Sequence, residues 1–255
     1  MTKSELSIFG VHGIPDIARG DDLAKIIGER VEPKDYDVLV VTQKIVSKAE
    51  GRVVKLDDGG DPKNTPQEES PSYAEERLRA LAAAKEQIVL SESVRILRRR
   101  GSLVIAETKH GFICANAGVD LSNVESGYAV LLPVDPDYSA ARIRARIKHL
   151  FGVEVGVVIT DTFGRVWRQG LVDVAIGVAG IGAINDLCGT EDAYGNVLHA
   201  TKVCIADELA AAANLVMAKA DKVPAAVIRG LDRDLFRESS VKGEIVRSHR
   251  EDFFR

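Results

Sequence analysis

The chain has 255 residues, 45% of them apolar and 28% charged, with a formal net charge of −4. That composition excludes a disordered chain and fits one large domain or two small ones. The slight acidic excess, with no basic face, makes nucleic acid a poor partner, although local lysines and arginines can still receive anions.

The N-terminal MTKSELSIFG carries no apolar run of signal-peptide length. Residues 6–9 read as a short strand, and GVHGIP at 10–15 as the loop after it. Gly20, Asp21 and Asp22 open a helix, because Leu23, Ile26, Ile27 and Val31 recur at helical spacing and either aspartate can cap it. Residues 36–42 (YDVLVVT) form a nearly unbroken apolar run of strand length, the mark of a strand buried on both faces. Residues 57–70 are rich in Gly, Pro and acids and read as a surface excursion.

Residues 72–97 predict a helix interrupted near Ser91, and 103–107, 111–114 and 129–132 predict strands. Residues 139–151 predict an amphipathic basic helix, 155–160 a second buried strand, 206–220 a helix and 224–229 a third buried strand. The most apolar region, 171–184, contains Asp173 and is shorter than the roughly 20 residues of a membrane span. Strands follow one another between Leu103 and Leu132, so strict strand–helix alternation fails. The expected fold is mixed α/β, of α+β or unusual α/β type, rather than a plain doubly wound sheet. Cys114, Cys188 and Cys204 match no zinc or disulfide spacing and are expected to be small buried residues of a cytoplasmic protein.

Four residue groups can carry chemistry. TDTFGR at 160–165 follows the second buried strand, where α/β proteins place ligands; Asp161 and the Thr162 oxygen either bind a hard divalent cation or form a strand-ending turn that caps local amides. Arg165 and Arg168 follow. NAGVDLSN at 116–123 offers Asp120 and Asn123 as oxygen ligands, or else a tight Asx turn; if the two loops converge, the carboxylates form a paired metal site. Lys44 and Lys48, four apart and just past a buried strand, either neutralise phosphates or form a solvated basic face. The glycines of GVHGIP allow a ligand close to the backbone. Neither G-x-x-x-x-G-K-[ST] nor G-x-G-x-x-G is present, nor a G-x-S-x-G elbow, so covalent serine or cysteine catalysis is unsupported. The five histidines form no i, i+4 pair and read as structural or surface residues.

Together the sequence resembles the coenzyme F420-0:L-glutamate ligase family. The matching segments are GIPDI at 13–17, GDDLA at 20–24, VVTQKIVSKAEGR at 40–52, ANAGVDLSNV at 115–124, LLPVDPDYSA at 131–140, VVITDTFGRVWRQG at 157–170, DVAIGVAG at 173–180, DAYGN at 192–196, ADELAAAANLVMAK at 206–219 and PAAVIRG at 224–230. They run in order over most of the chain. The resemblance is to the single-domain form, without the C-terminal flavin-reductase-like extension of the fused enzymes.

The resemblance implies GTP-dependent addition of L-glutamate to the carboxylate of coenzyme F420-0 through an acyl phosphate, followed by a γ-linked second glutamate. It implies two divalent cations, manganese or magnesium, a response to potassium, and a non-Rossmann fold that forms an intertwined homodimer. Carried over by position, Asp120 and Asp161 are ligands of one metal and Thr162 of a second, and Asp120, Asp161 and Lys48 are the catalytic set. Gly13, Ile14, Pro15, Asp16, Gln43, Lys44, Lys48 and Asn123 fall at the GTP-binding positions. The stretch with Ala218, Lys219, Ala220 and Asp221 does so too, although it is glycine-rich in some relatives and reads AKADKVP here. Arg165, Trp167 and Arg168 are candidates for the acceptor pocket, since cationic and flat groups suit an anionic deazaflavin. Two other readings stay open: an amide ligase with another carboxylate acceptor, and a non-catalytic nucleotide-binding module.

Overall fold

The computed structural model describes residues 5–57, 71–217 and 222–253. The chain divides into two compact units, Met1–Glu50 with Pro133–Arg255, and Gly51–Leu132. In the first unit, β1 (Ser7–Gly10) leads to α1 (Leu23–Val31), which Asp22 caps by accepting the Lys25 amide at 3.1 Å. In β2 (Val38–Thr42) the four residues from Val38 to Val41 are fully buried, as its apolar run requires. The helix α2 (Gln43–Ala49) follows β2 with no intervening loop.

The second unit contains β3 (Val53–Lys55), α3 (Pro71–Glu92), β4 (Ser93–Arg100), β5 (Leu103–Thr108), β6 (Ile113–Ala115) and β7 (Tyr128–Val130). An antiparallel β4-β5-β6 sheet and a β3-β7 pair enclose a core of Leu56, Val89, Val104, Ala106, Val119 and Leu131. Residues 93–97 are strand, not the helix that the sequence predicts. The hydroxyls of Ser91 and Ser93 donate back to the carbonyls of Ile88 (2.8 Å) and Val89 (2.6 Å), taking acceptors that a continuing helix would use. Beyond them Arg95 and β-branched Ile96 pair with Glu107 and Ala106 of β5, with Val94 at an irregularity of the ladder.

The chain then returns to the first unit through α4 (Pro136–Phe151), β8 (Gly156–Arg165), β9 (Arg168–Ala179), β10 (Asn185–Asp186), β11 (Lys202–Val203), α5 (Ile205–Asn214), β12 (Ala225–Arg229) and α6 (Val241–Glu244). The main sheet has the order β1-β12-β2-β8-β9; β2 and β8 are parallel and every other neighbour is antiparallel. The three strands read as buried from sequence, β12, β2 and β8, are its adjacent centre. Helix α4 packs on β8, β9 and α1, and α5 packs on β9, β8 and β12.

Helix α4 starts three residues before the predicted position, because Asp135 caps it through the Tyr138 amide (3.0 Å) and Pro136 suits the first turn. Helix α5 stops at Asn214, short of the predicted end at 220. Met217 turns into the core at 3% exposure, and the Val216 carbonyl lies where a Cβ on Gly10 would stand 2.9 Å from it. The predicted helix residues 218–220 and the excursion at 58–70 lie outside the described residues. At the end of the sheet where β2 begins, fully buried Asp37 forms a two-pronged ion pair with Arg229, both contacts 2.7 Å. No helix among the described residues is long and apolar enough to cross a membrane.

Candidate functional site

Strand register gathers three of the chemical groups at one end of the main sheet, beyond the C-terminal end of β2. Thr42 stands opposite Thr160 in the parallel β2–β8 pair. The Thr42 amide donates to the Pro224 carbonyl (2.9 Å), and the Val11 amide to the Ala225 carbonyl (2.8 Å). That end therefore holds the loop after β1, the start of α2, β8 from Thr160 onward and the approach to β12. Ligand sites of open α/β sheets lie beyond the C-terminal ends of parallel strands in the same way.

Each element holds its residues differently. Gly13 has φ +73° and its carbonyl accepts the Arg30 Nε–H at 2.9 Å, so α1 anchors the loop that carries Ile14, Pro15 and Asp16. Ile14 is half-buried, while Gly13, Pro15 and Asp16 are exposed. Gln43 is buried, and its Oε1 accepts the Ser47 hydroxyl at 3.0 Å, locking the first turns of α2. Half-buried Lys44 and Lys48 lie one turn apart on the same helix.

The segment at Asp161 corrects the sequence reading. The strand does not end at Thr160 but continues to Arg165 and turns into β9, with Asp161 opposite Val174 and Thr162 opposite Asp173. Asp161 is thus a strand residue, and alternation puts it on the face opposite Thr162. The Thr162 hydroxyl donates to Asp173 Oδ1 at 2.7 Å, and the Thr160 hydroxyl to Oδ2 at 3.4 Å. Asp173 is 3% exposed and was assigned no role from sequence; a lone carboxylate inside the most apolar run was the available signal. Because Thr162 gives its proton to Asp173, its oxygen lone pairs are left to accept.

In the second unit, Asp120 forms the Asx turn that one sequence reading predicts: its carboxylate accepts the Ser122 amide (2.7 Å) and hydroxyl (3.0 Å). Backbone bonds with Val130 fix Asp120 from both sides (3.0 and 2.8 Å). Asn123 is exposed at φ 55°. No group of three or more His, Cys, Asp or Glu among the described residues is placed to hold a metal ion. The available donors, carboxylate and hydroxyl oxygens in small number, fit a hard cation that completes its shell with water and phosphate oxygens.

Arg165, Trp167 and Arg168 sit at the tip of the β8–β9 hairpin, with Trp167 82% exposed at φ 60° and Arg165 Nη2 donating to the Gln169 carbonyl at 2.5 Å. Ala218, Lys219, Ala220 and Asp221 lie outside the described residues. Of the cysteines, Cys114 is buried, Cys204 half-buried and Cys188 exposed, the last against expectation. Cys188 sits beside β10, where its amide donates to Asp186 (3.0 Å) and its thiol to the His199 carbonyl (3.4 Å). The Asp186 carboxylate raises the Cys188 pKa, and burial pushes Cys204 up to about 12. Neither therefore supplies a ready thiolate.

Over residues 13–230 the sequence matches the family described as F420-0:Gamma-glutamyl ligase. It is 44% identical to the coenzyme F420:L-glutamate ligase of Archaeoglobus fulgidus, covering 98% of this chain and 96% of that protein. It is 41% identical to the enzyme of the same name from Methanothermobacter thermautotrophicus, over 98% of this chain and 99% of the relative. The Methanopyrus kandleri enzyme of that name is 43% identical over 92% of each chain.

Proposed function

Since the chain belongs to the F420-0:gamma-glutamyl ligase family, we propose that it is a ligase joining L-glutamate to coenzyme F420-0 in coenzyme F420 biosynthesis. The γ-phosphoryl group of GTP passes to the terminal carboxylate of the acceptor; the β–γ P–O bond breaks, GDP leaves, and an acyl phosphate forms. The glutamate amine attacks the acyl carbon, the amide bond forms as the amine gives up a proton to solvent, and phosphate leaves with its bonding electrons. A second glutamate adds through a γ-linkage.

The observation that supports this reading is the meeting, at one end of the main sheet, of the Gly13 loop, the Lys44–Lys48 turn and the Thr162–Asp173 pair. Phosphoryl transfer needs charge neutralisation and alignment more than covalent help from the protein. Lys44 and Lys48 neutralise phosphate oxygens, and the loop from Gly13 to Asp16 admits the nucleotide along its backbone. Gln43, Asn123 and residues 218–221 complete the nucleotide contacts. Asp120 and Asp161 hold one divalent cation and Thr162 a second, manganese or magnesium, with potassium as a further activator. Bound there, such ions supply neutralisation of the transferring phosphoryl group. Arg165, Trp167 and Arg168 receive the deazaflavin acceptor. The working form is a cytoplasmic homodimer with a family-specific, non-Rossmann fold, and sedimentation at micromolar concentration tests the stoichiometry.

Incubation with GTP, manganese, L-glutamate and coenzyme F420-0 should raise the acceptor mass by one or two glutamyl units. No mass increase overturns the reading, and product from another carboxylate alone reassigns the acceptor. Full activity in Asp161→Asn removes Asp161 from the metal site.

A further inference from the structure

Strand β9 lies at one edge of the main sheet, yet two of its amides that turn away from β8 are taken by carboxylates. The Ala175 amide donates to Asp207 Oδ1 in the first turn of α5 (2.8 Å), and the Val178 amide to Asp137 Oδ1 in the first turn of α4 (2.9 Å). In a regular strand the amides that face one edge recur at every second residue. These two are three apart, so one residue is inserted between them. The pairing with β8 carries the same insertion: Ile159 stands opposite Gly177, whereas Thr160 stands opposite Ala175. The extra residue, Ile176, makes a β-bulge.

The bulge decides what Asp173 faces. Opposed residues of an antiparallel pair share a face of the sheet, and a one-residue slip moves a strand's side chains to the other face. Beyond the bulge Thr162 opposes Asp173 and Thr160 opposes Ala175, so both hydroxyls and the carboxylate share one face. Were the Ile159–Gly177 register continued without the insertion, Thr162 would oppose Val174 instead. Asp173 would then oppose Phe163, on the face that carries Asp161. The 2.7 Å bond from Thr162 to Asp173 therefore exists because of the inserted residue.

Ala175 is 4% exposed, and β9 has β8 as its only strand neighbour in the main sheet. Without Asp207 its amide becomes a buried donor lacking an acceptor, a state that favours losing or moving the bulge. Half-buried Asp207 is well placed to prevent this, since the start of α5 favours a carboxylate. We propose that Asp207 is a positioning residue for the divalent cation of the ligase. It touches neither cation nor substrate; it holds the bulge that turns Asp173 toward Thr162. This inference rests on Thr162 being a cation ligand, as in the function proposed above. Asp137, on the other side of the bulge, also accepts the Val241 (2.8 Å) and Lys242 (3.1 Å) amides, so Asp207 is the more selective point of attack.

Manganese binding by the full chain with GDP, read by electron paramagnetic resonance without glutamate or acceptor, tests the role. Asp207→Ala should weaken binding about tenfold, and Asp207→Asn, which keeps an acceptor oxygen, should stay within about threefold of wild type. Hydrogen exchange should show the Ala175 amide losing protection in the same order. Added to Thr162→Val, Asp207→Ala should change manganese affinity by less than about twofold, because both act on one ligand. A general structural role would weaken both backgrounds alike. Where Asp207→Ala fails to fold, Asp207→Ser and Asp207→Asn carry the test, and affinity must fall as Ala175 protection falls. Wild-type affinity despite lost protection, equal losses in both backgrounds, or no manganese binding by the wild-type chain overturns the proposal. The two readings fail separately. Asp207-dependent manganese binding without ligation sinks the ligase and spares Asp207, whereas glutamylated product with manganese affinity indifferent to Asp207 does the reverse.

Discussion

Replacing Asp173 with asparagine tests whether the hydroxyl at Thr162 is oriented for a cation. Asp173 lies at 3% exposure and accepts from Thr162 at 2.7 Å and from Thr160 at 3.4 Å. A hydrogen bond to a charged acceptor contributes about 1.5–3 kcal/mol, and asparagine keeps one acceptor oxygen, so a stability loss of about 1–2 kcal/mol is expected. The functional change should be larger in kind. An amide NH2 facing Thr162 offers that hydroxyl a donor, which frees its proton to point outward and oppose a cation. Losing a partner that orients a ligand costs about 10- to 100-fold in metal affinity. Initial rates measured against manganese concentration should show half-saturation raised by about that factor, with little change in the rate at saturating metal. Thr162→Val should give a similar shift, and the double variant should add little to either single one. A variant that loses stability while keeping the wild-type manganese dependence would refute the reasoning and leave Asp173 a structural residue.

Three other perturbations test the framework. Arg229→Met leaves the fully buried Asp37 carboxylate without its guanidinium, and chemical denaturation should show a loss of about 3–5 kcal/mol; a loss below about 1 kcal/mol would contradict the ion-pair reading. In Gly28→Ala the new Cβ would stand 2.2 Å from the Phe151 ring, so destabilisation by about 1–3 kcal/mol is expected, with recovery when Phe151→Leu is added. The Arg237 guanidinium holds the Glu244 carboxyl down to about 2 from 4.5, so its stabilisation is complete above pH 4.5 and lost as pH falls through about 2. With the side chain 28% exposed, solvent reduces this to about 1–2 kcal/mol, and Glu244→Gln should remove that part of the acid limb from a pH series of thermal melts.

Burial was the most legible property of the sequence. Three largely apolar runs became β12, β2 and β8 at the centre of the main sheet, and of the two aspartates that could cap α1, Asp22 does so. Local signals failed where long-range pairing decided the outcome. Residues 93–97 have helix-compatible composition, but pairing with β5 made them strand. Gly164 and polar residues after Thr160 suggested a turn, yet the β9 ladder carries the strand to Arg165. The same effect hid Asp173, since its partners Thr160 and Thr162 are fixed by hairpin register and not by proximity in sequence. A cleft between α1, α2 and α4 was equally illegible, because residues 20–24 and 46–50 meet residues 139–149 only in the folded chain.

The single parallel pairing in the main sheet shapes how the chain must be made. β2 and β8 are hydrogen-bonded neighbours, but the whole second unit is encoded between them. That insert closes on itself: the Leu131 amide donates to the Arg52 carbonyl at 2.9 Å, and Arg52 Nε to the Leu132 carbonyl at 3.0 Å. During synthesis β2 emerges long before either sheet partner, and one of the most apolar strands of the protein waits beside the ribosome with both edges open. Early folding of the inserted unit would draw its two ends together and shorten the effective loop that β8 must close. The inserted segment would then act as a built-in tether for nascent-chain folding, and a permutant beginning at Pro133 should place that waiting time on different strands.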